Sequence, residues 1–276
     1  MSRGKIVLPK KKLYILYHIK NKSPYYIARI CKCSFTTISN RIREYGIPIK
    51  SKSRAQTKYK KSDFSENLTE KAYMIGFRIG DMNVYKRSSM SETIVVRTHT
   101  TKEDQLRLIK NIFGKYGHIT ISRGKKRDID INCFLNESFT FLLPKNDNIE
   151  LWIKRSEKFF AAFITGYIDA EGSFIINQGK ARFQMSSYDK GILSQMHVRL
   201  VQIGIKSKLR LIGRKGQLRP AGCCFNSDLW RLNINDAKSL LKFIYLIKPF
   251  MKHKKRNKDM YTSLFNIRTR QQKGTI

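Results

Sequence analysis

Apolar side chains recur at helical spacing three times near the start of the chain: Leu13, Leu16 and Tyr17, then Ile27 and Ile30, then Phe35, Ile38, Ile42 and Tyr45. Ser23-Pro24 opens the second segment, with proline where a helix tolerates it best. Ser34 is a good N-cap for the third, and Gly46 stands where a terminating glycine belongs. The short break Cys31-Lys32-Cys33 between them predicts a helix-turn-helix domain over residues 1–50. Ser51 to Lys61 is polar and basic with almost nothing to bury, so residues 51–67 read as a basic linker that can lie along phosphates.

From Leu68 the pattern changes and then repeats. Met74-Ile75-Gly76-Phe77-Arg78-Ile79-Gly80-Asp81 superposes on Ile164-Thr165-Gly166-Tyr167-Ile168-Asp169-Ala170-Glu171 at an offset of 90 residues. Strand-like runs follow each copy, Thr93 to Thr98 in the first, Ser173 to Ile176 and Arg182 to Ser187 in the second. Amphipathic helices come next, Gln105 to Tyr116 and Ile192 to Ile203, closed by Gly117 and Gly204. Two more strands and a helix complete each copy. The fold class is therefore α+β: duplicated αββαββα domains with pseudo-two-fold symmetry over 68–152 and 153–276, preceded by the small all-α helix-turn-helix domain.

Charge decides the kind of partner. The 276 residues hold 56 Lys or Arg against 20 Asp or Glu, a formal charge of +36, and the first 60 carry 16 bases and one acid, Glu44. Such an excess costs a folded domain self-repulsion, which a polyanion relieves. Apolar content of 41% is ordinary for a globular chain, so disordered and collagen-like readings fall away. No run approaches the roughly 18 apolar residues that a membrane span requires. The first 12 residues lack an export signal, and five cysteines, an odd number, read as reduced thiols. The expectation is an intracellular, nucleic-acid-facing protein, in cytoplasm, nucleoid or an organelle.

The repeat can carry chemistry. Each copy has small residues four apart, Gly76 and Gly80, Gly166 and Ala170, on one helix face where two backbones can approach closely. An acid follows the second small residue in each, Asp81 and Glu171. If the helices pack in parallel, both carboxylates emerge at the same C-terminal end, where the macrodipole disfavours them by about 0.3–1 kcal/mol. A hard divalent cation is the natural counter-charge.

Gly166-Tyr167-Ile168-Asp169-Ala170-Glu171-Gly172 resembles the paired motif of the LAGLIDADG homing endonucleases, and Met74 to Asp81 resembles a more divergent copy, with Arg78-Ile79 in place of the usual apolar-acid pair and Met82 in place of glycine. The resemblance spans about three-quarters of the chain. It implies a single-chain, monomeric nuclease whose sheets saddle the DNA major groove, with Asp81 and Glu171 as Mg2+ ligands and catalytic acids. It further implies 3′ overhangs and an intron-encoded origin. Lys248 to Lys255 resembles the segment that brings a base to the active site, which points to Lys254, with Lys145 as a weaker counterpart and Thr101 and Ser187 at water-organising positions.

DNA contacts are expected from Thr36, Thr37, Asn40, Arg41 and Arg43 on the third helix, with Phe35, Ile38 and Ile42 packed inward. On the first sheet Arg87, Arg97, Arg123, Lys125 and Arg127 are the candidates, and on the second Lys180, Arg182, Gln184, Arg210, Arg214 and Arg231. Two other readings stay open: an intron-RNA splicing helper on the same fold, and a catalytically inactive DNA-binding regulator. Neither Cys31-x-Cys33 nor Cys223-Cys224 has zinc-site spacing.

Overall fold

The computed structural model describes residues 8–50, 59–124, 127–219 and 222–276. Lys125 and residues 51–58 of the expected linker lie outside the described residues. The chain divides into two compact units, one within the residues up to Lys60 together with Ser88–Thr93, the other Lys61–Arg87 with Ile94–Ile276.

In the smaller unit, helix α1 (Lys10–Tyr14) runs on as a π-helical stretch through Ile19. Helix α2 (Pro24–Ile30) is capped by Ser23, whose hydroxyl accepts from the Tyr26 N–H at 3.2 Å. Helix α3 (Phe35–Glu44) is capped by Ser34 in the same way, from Thr37 at 3.1 Å. Gly46 takes φ +60 and closes α3, with the Ile47 N–H donating back to the Ile42 carbonyl. In the turn between α2 and α3, Lys32 holds φ +51, a left-handed conformation that glycine would adopt without strain. Leu13, Tyr17, Ile27, Ala28, Ile38 and Ile42 form the core. Phe35 departs from expectation: it is 39% exposed and stacks on Tyr25 at 4.2 Å instead of packing inward, because the first residue of α3 lies beside the first turn of α2.

The larger unit holds both copies. Helix α4 (Leu68–Asp81) leads to β1 (Asn83–Lys86), β2 (Ile94–Thr100), α5 (Glu103–Phe113), β3 (His118–Arg123) and β4 (Ile129–Leu135). After a short helix α6 (Leu151–Arg155), helix α7 (Glu157–Glu171) leads to β5 (Gly172–Asn177), β6 (Lys180–Ser187), α8 (Lys190–Gln202), β7 (Lys208–Gly213), β8 (Leu229–Ile234), α9 (Ala237–Ile247) and α10 (Lys254–Gln272). Both sheets are antiparallel, ordered β1-β2-β4-β3 and β5-β6-β8-β7, so the topology repeats with the sequence. The closing helix expected of the first copy is reduced to a 3-10 stretch, Glu137–Leu142, before α6, whereas the second copy adds α10 beyond its plan.

The stretch just before α4 is not free chain. The Ser62 N–H donates to the Tyr116 carbonyl, and the Phe64 ring packs on Phe139 and Phe141. The two expected terminating glycines also differ. Gly204 takes φ +76, as a helix end requires, while Gly117 is needed for space, since an added Cβ would lie 2.1 Å from the Phe134 carbonyl oxygen of β4.

Helices α4 and α7 form the centre. A Cβ on Gly76 would lie 2.0 Å from the Phe163 carbonyl oxygen, and one on Gly166 would lie 2.0 Å from that of Tyr73. These contacts exchange into each other at the offset of 90, which is the signature of a two-fold axis between the helices. Only hydrogen fits at either crossing. A single apolar core, from Tyr73 and Phe77 through Phe163 and Tyr167 to Phe183 and Phe243, runs beneath both sheets.

Candidate functional site

The close crossing continues to the helix ends. A Cβ on Gly80 would lie 2.3 Å from that of Ala170 and 3.2 Å from the Glu171 Cγ, so the chains turn outward there with Asp81 and Glu171 side by side. They open on a cavity of about 600 Å3 lined also by His99, Thr101, Lys102, Gln105, His253 and Arg256.

Two carboxylates at such an end disfavour each other's charge. Burial raises the Asp81 carboxyl above its ordinary range, opposed by the Gln105 amide, which donates to Oδ2 at 2.7 Å, and by the charges of Arg256 and Lys102. Glu171 keeps an exposed edge, yet burial of its carboxyl and then the Asp81 charge push it up to about 7, with Asp189 adding and Arg256 and Lys145 opposing. Apart from the Gln105 bond to Asp81, neither carboxylate takes a hydrogen bond among the described residues.

Arg256 supplies the positive charge. Its Nε donates to the Gly172 carbonyl at 2.8 Å and its two terminal nitrogens to the carbonyls of Ala170 and Asp169. The guanidinium thus satisfies the orphan carbonyls of α7 while facing both acids. Its position is set from below by Asp169. That buried carboxylate accepts from the Tyr73 hydroxyl at 2.6 Å and from the Lys252 and His253 amides at 2.8 and 3.1 Å. His253 then caps α10, its Nδ1 receiving the Arg256 N–H at 3.4 Å.

The base that the structure brings to the acids is therefore Arg256 rather than Lys254, which is exposed on the first turn of α10 and outside the cavity lining. Arg256 lies just past the basic run that sequence reading singled out, and its signal is the helix start: a cap at His253 turns the third residue after it back toward α7. Gln105 and Asp169 were also missed, although Asp169 stands inside the motif itself. Lys145 is exposed, and its charge reaches Glu171. Thr101 lines the cavity, and the Ser187 hydroxyl is engaged with Asp189 at 3.0 Å.

On the outward face of the second sheet, register places Lys180, Arg182, Gln184, Arg210 and Arg231 together with Lys208, Ser186 and Asn233, with no acid among them. Arg214 is exposed just beyond β7. The first sheet is more balanced: Arg97 and His99 face outward beside Asp130, at 3.7 and 3.2 Å. Arg87, after β1, and Arg127, at φ +62 before β4, are exposed. Arg123 is a correction. It pairs in register with buried Ile129 and bonds Glu103 of α5, so it turns to the helix layer and away from the outward face. On α3, Thr36, Asn40 and Arg43 are exposed, while Thr37 is tied to Ser34 and Arg41 to Tyr45.

Paired helices that cross at glycine, each delivering one carboxylate beneath a four-stranded sheet, define a duplicated α+β architecture. Residues 158–248 match the LAGLIDADG-like domain family. The second copy is a LAGLIDADG-like domain, and with the first repeating its topology the chain carries the LAGLIDADG fold twice. Among solved structures it is similar to I-DmoI in complex with DNA and Mn, at 18% identity over 68% of this chain and 99% of that one, TM-score 0.45. It is also similar to full-length DUF199/WhiA from Thermatoga maritima, at 17% identity over 76% of this chain and 63% of that one, TM-score 0.47. No curated protein matches the sequence. Among the described residues, no helix is long and apolar enough to cross a membrane.

Proposed function

We propose that the protein is a monomeric, site-specific endonuclease of double-stranded DNA that uses Mg2+ or a similar divalent cation, is intron-encoded, and leaves 3′ overhangs. The observation that carries this reading is the pairing of Asp81 and Glu171 at the end of the α4–α7 crossing. In a chain of charge +36, the fold spends its tightest helix contact on bringing two acids together, against their repulsion and their desolvation. A protein that only grips phosphates gains nothing from carboxylates aimed at them.

The donor set fits a hard cation. Two carboxylates with free oxygens open on a cavity roomy enough for waters and a phosphate, and Glu171, held near 7 by burial and Asp81, loses its proton readily to a competing positive charge. A bound cation supplies charge for the phosphate and a more acidic water. The chain does the rest. Asp81 and Glu171 hold, Gln105 fixes the Asp81 rotamer, and Arg256, anchored on the α7 carbonyls, offsets the like charges without occupying their free oxygens. Lys102 and Lys145 add positive charge at the rim. The outward faces of the sheets, above all Lys180, Arg182, Arg210 and Arg231, supply the DNA contacts, and the helix-turn-helix unit extends the footprint.

The test begins by selecting cleaved sites from a random DNA library in Mg2+. Asp81→Asn and Glu171→Gln are expected to lower cleavage by about a hundredfold or more while affinity holds or rises. Removing residues 1–50 shortens the protected footprint and leaves the cutting chemistry intact. Full cleavage by both acid variants, or binding without cleavage by the wild type, sinks the proposal.

A further inference from the structure

Two arginines from unrelated places in the chain meet matching carbonyls. Arg256, from α10, donates to the carbonyl of Gly172, the residue after Glu171. Arg78, from inside the motif helix α4, donates to the carbonyl of Met82, the residue after Asp81, at 3.2 Å. Gly172 and Met82 correspond at the offset of 90, so the two guanidinium groups sit at related points on either side of the axis. Each also joins its helix end to the segment that follows its sheet. Arg256 belongs to that segment, which Asp169 holds by the amides of Lys252 and His253. The first copy has Ile79 where Asp169 would stand and, among the described residues, no helix like α10. There Arg78 holds the corresponding segment by its carbonyls, with Nε on Leu142 at 2.8 Å and a terminal nitrogen on Leu143 at 3.4 Å. Arg78 is 5% exposed, and the acid whose charge reaches it is Asp189, across the axis from α4.

We propose that Arg78 is the first copy's counterpart of Arg256: a positioning residue that fixes the turn carrying Lys145 beside Glu171 and returns the cation that the shortened first copy lacks. The departure of the first motif from its partner is then a relocation of the basic group into the helix, with Ile79 standing in place of the acid. This rests on the nuclease reading, and because the arginines lie on opposite sides of the axis, it assigns them to opposite DNA strands.

Strand-resolved cleavage with each strand end-labelled tests it. Arg78→Ile, which installs the residue found at the matching position 168, should slow one strand by about 10- to 100-fold and accumulate nicked DNA. Arg256→Ile should slow the other strand, and Arg78→Lys, which keeps the charge and one donor, should recover part of the loss. Hydrogen exchange on the DNA-free, metal-free protein gives the second readout, with Arg78→Ile raising exchange at residues 139–143, whose amides the 3-10 stretch protects, and leaving 252–256 unchanged. Slowing of the same strand by both arginine variants overturns the assignment, as does a uniform loss of stability with an unchanged strand ratio. If the wild type cuts neither strand, the nuclease reading falls by itself. The exchange pattern then decides, a local rise supporting the clamp and an unchanged or global pattern overturning it.

Discussion

In the second copy a buried carboxylate, Asp169, collects two backbone amides and a tyrosine hydroxyl; in the first, a buried guanidinium, Arg78, collects three backbone carbonyls. Both groups fasten the segment after the sheet to the end of a central helix. The sheets differ in the same spirit. The outward face of the second is basic and free of acids, while Arg97 and His99 on the first lie beside Asp130. What the copies keep in common is narrower: the glycine crossings, the terminal acids and the strand order. Duplication here preserves backbone geometry and lets electrostatics diverge, because a carbonyl 2.0 Å from a would-be Cβ tolerates no alternative, whereas a segment can be tied down by either sign of charge.

The largest effect should come from disturbing what is shared. Gly76→Ala and Gly166→Ala each push a methyl group into a backbone carbonyl that no rotamer change can move, so each should cost about 3 kcal/mol or more, and by similar amounts. Gly80→Ala drives its Cβ against that of Ala170 at 2.3 Å and should also be costly. Combining it with Ala170→Gly exchanges the two sides of the contact and should recover most of the loss, leaving about 1 kcal/mol from glycine in a helix. Double-mutant analysis of denaturant midpoints checks this. Additive costs would mean that the two residues do not meet across an axis.

The repeat was legible in the sequence because Gly76, Gly80, Gly166 and Ala170 each serve a constraint that few residues satisfy. The two caps Ser23 and Ser34 were legible for the same reason. What escaped were side chains whose partners lie far along the chain. Asp169 was visible within the motif, but its donors, Tyr73 and the amides of Lys252 and His253, are 83 or more residues away, and backbone amides carry no residue-type signal. Arg256 was missed in favour of Lys254 because a basic run reveals charge and not direction, which only the helix start at His253 supplies. Arg123 was misplaced because alternation along a short strand does not say which face carries the helices, and its partner Glu103 lies on α5.

The segment held by Asp169 also carries a titratable cap, His253, that has no equivalent among the described residues of the first copy, and acid should expose the difference. Burial, and then the Arg256 charge, hold the His253 imidazole down at about 4, against an ordinary value near 6.5. The neutral ring is also what the cap requires, since Nδ1 must accept the Arg256 N–H. A base with a depressed folded value is protonated first in the unfolded chain. Its contribution is complete above about 6.5 and is lost as pH falls toward 4. At 1.36 kcal/mol per unit, stability should drop by about 2–3 kcal/mol between pH 7 and 4.5 from this group. His253→Asn keeps a capping oxygen and removes the titration, so its stability should fall less over the same range. Urea denaturation of both proteins at the two pH values measures it, and parallel curves would show that His253 titrates normally.

The smallest expected effect separates the surroundings of the two acids. Helices α5 and α8 begin at Glu103 and Lys190, and counting from those starts, Gln105 in the first copy corresponds to Ile192 in the second. Asp81 therefore has an amide donor at 2.7 Å that Glu171 lacks, and two neighbouring positive charges where Glu171 also meets Asp189. Gln105→Leu makes the first site resemble the second in this respect. It removes a bond to an ionised acceptor, worth about 1.5 kcal/mol, and so should raise the Asp81 carboxyl further above its ordinary range. A carboxyl whose folded value lies above its unfolded one weakens the fold as pH rises and the group is forced to ionise. The cost of Gln105→Leu should accordingly be larger at pH 8 than at pH 4, since the bond counts for the ionised form and acid protonates a growing share of Asp81. Denaturation of wild type and variant without metal at the two pH values resolves this. An equal cost at both would mean that Gln105 serves packing alone, and that the acids differ only in the charges around them.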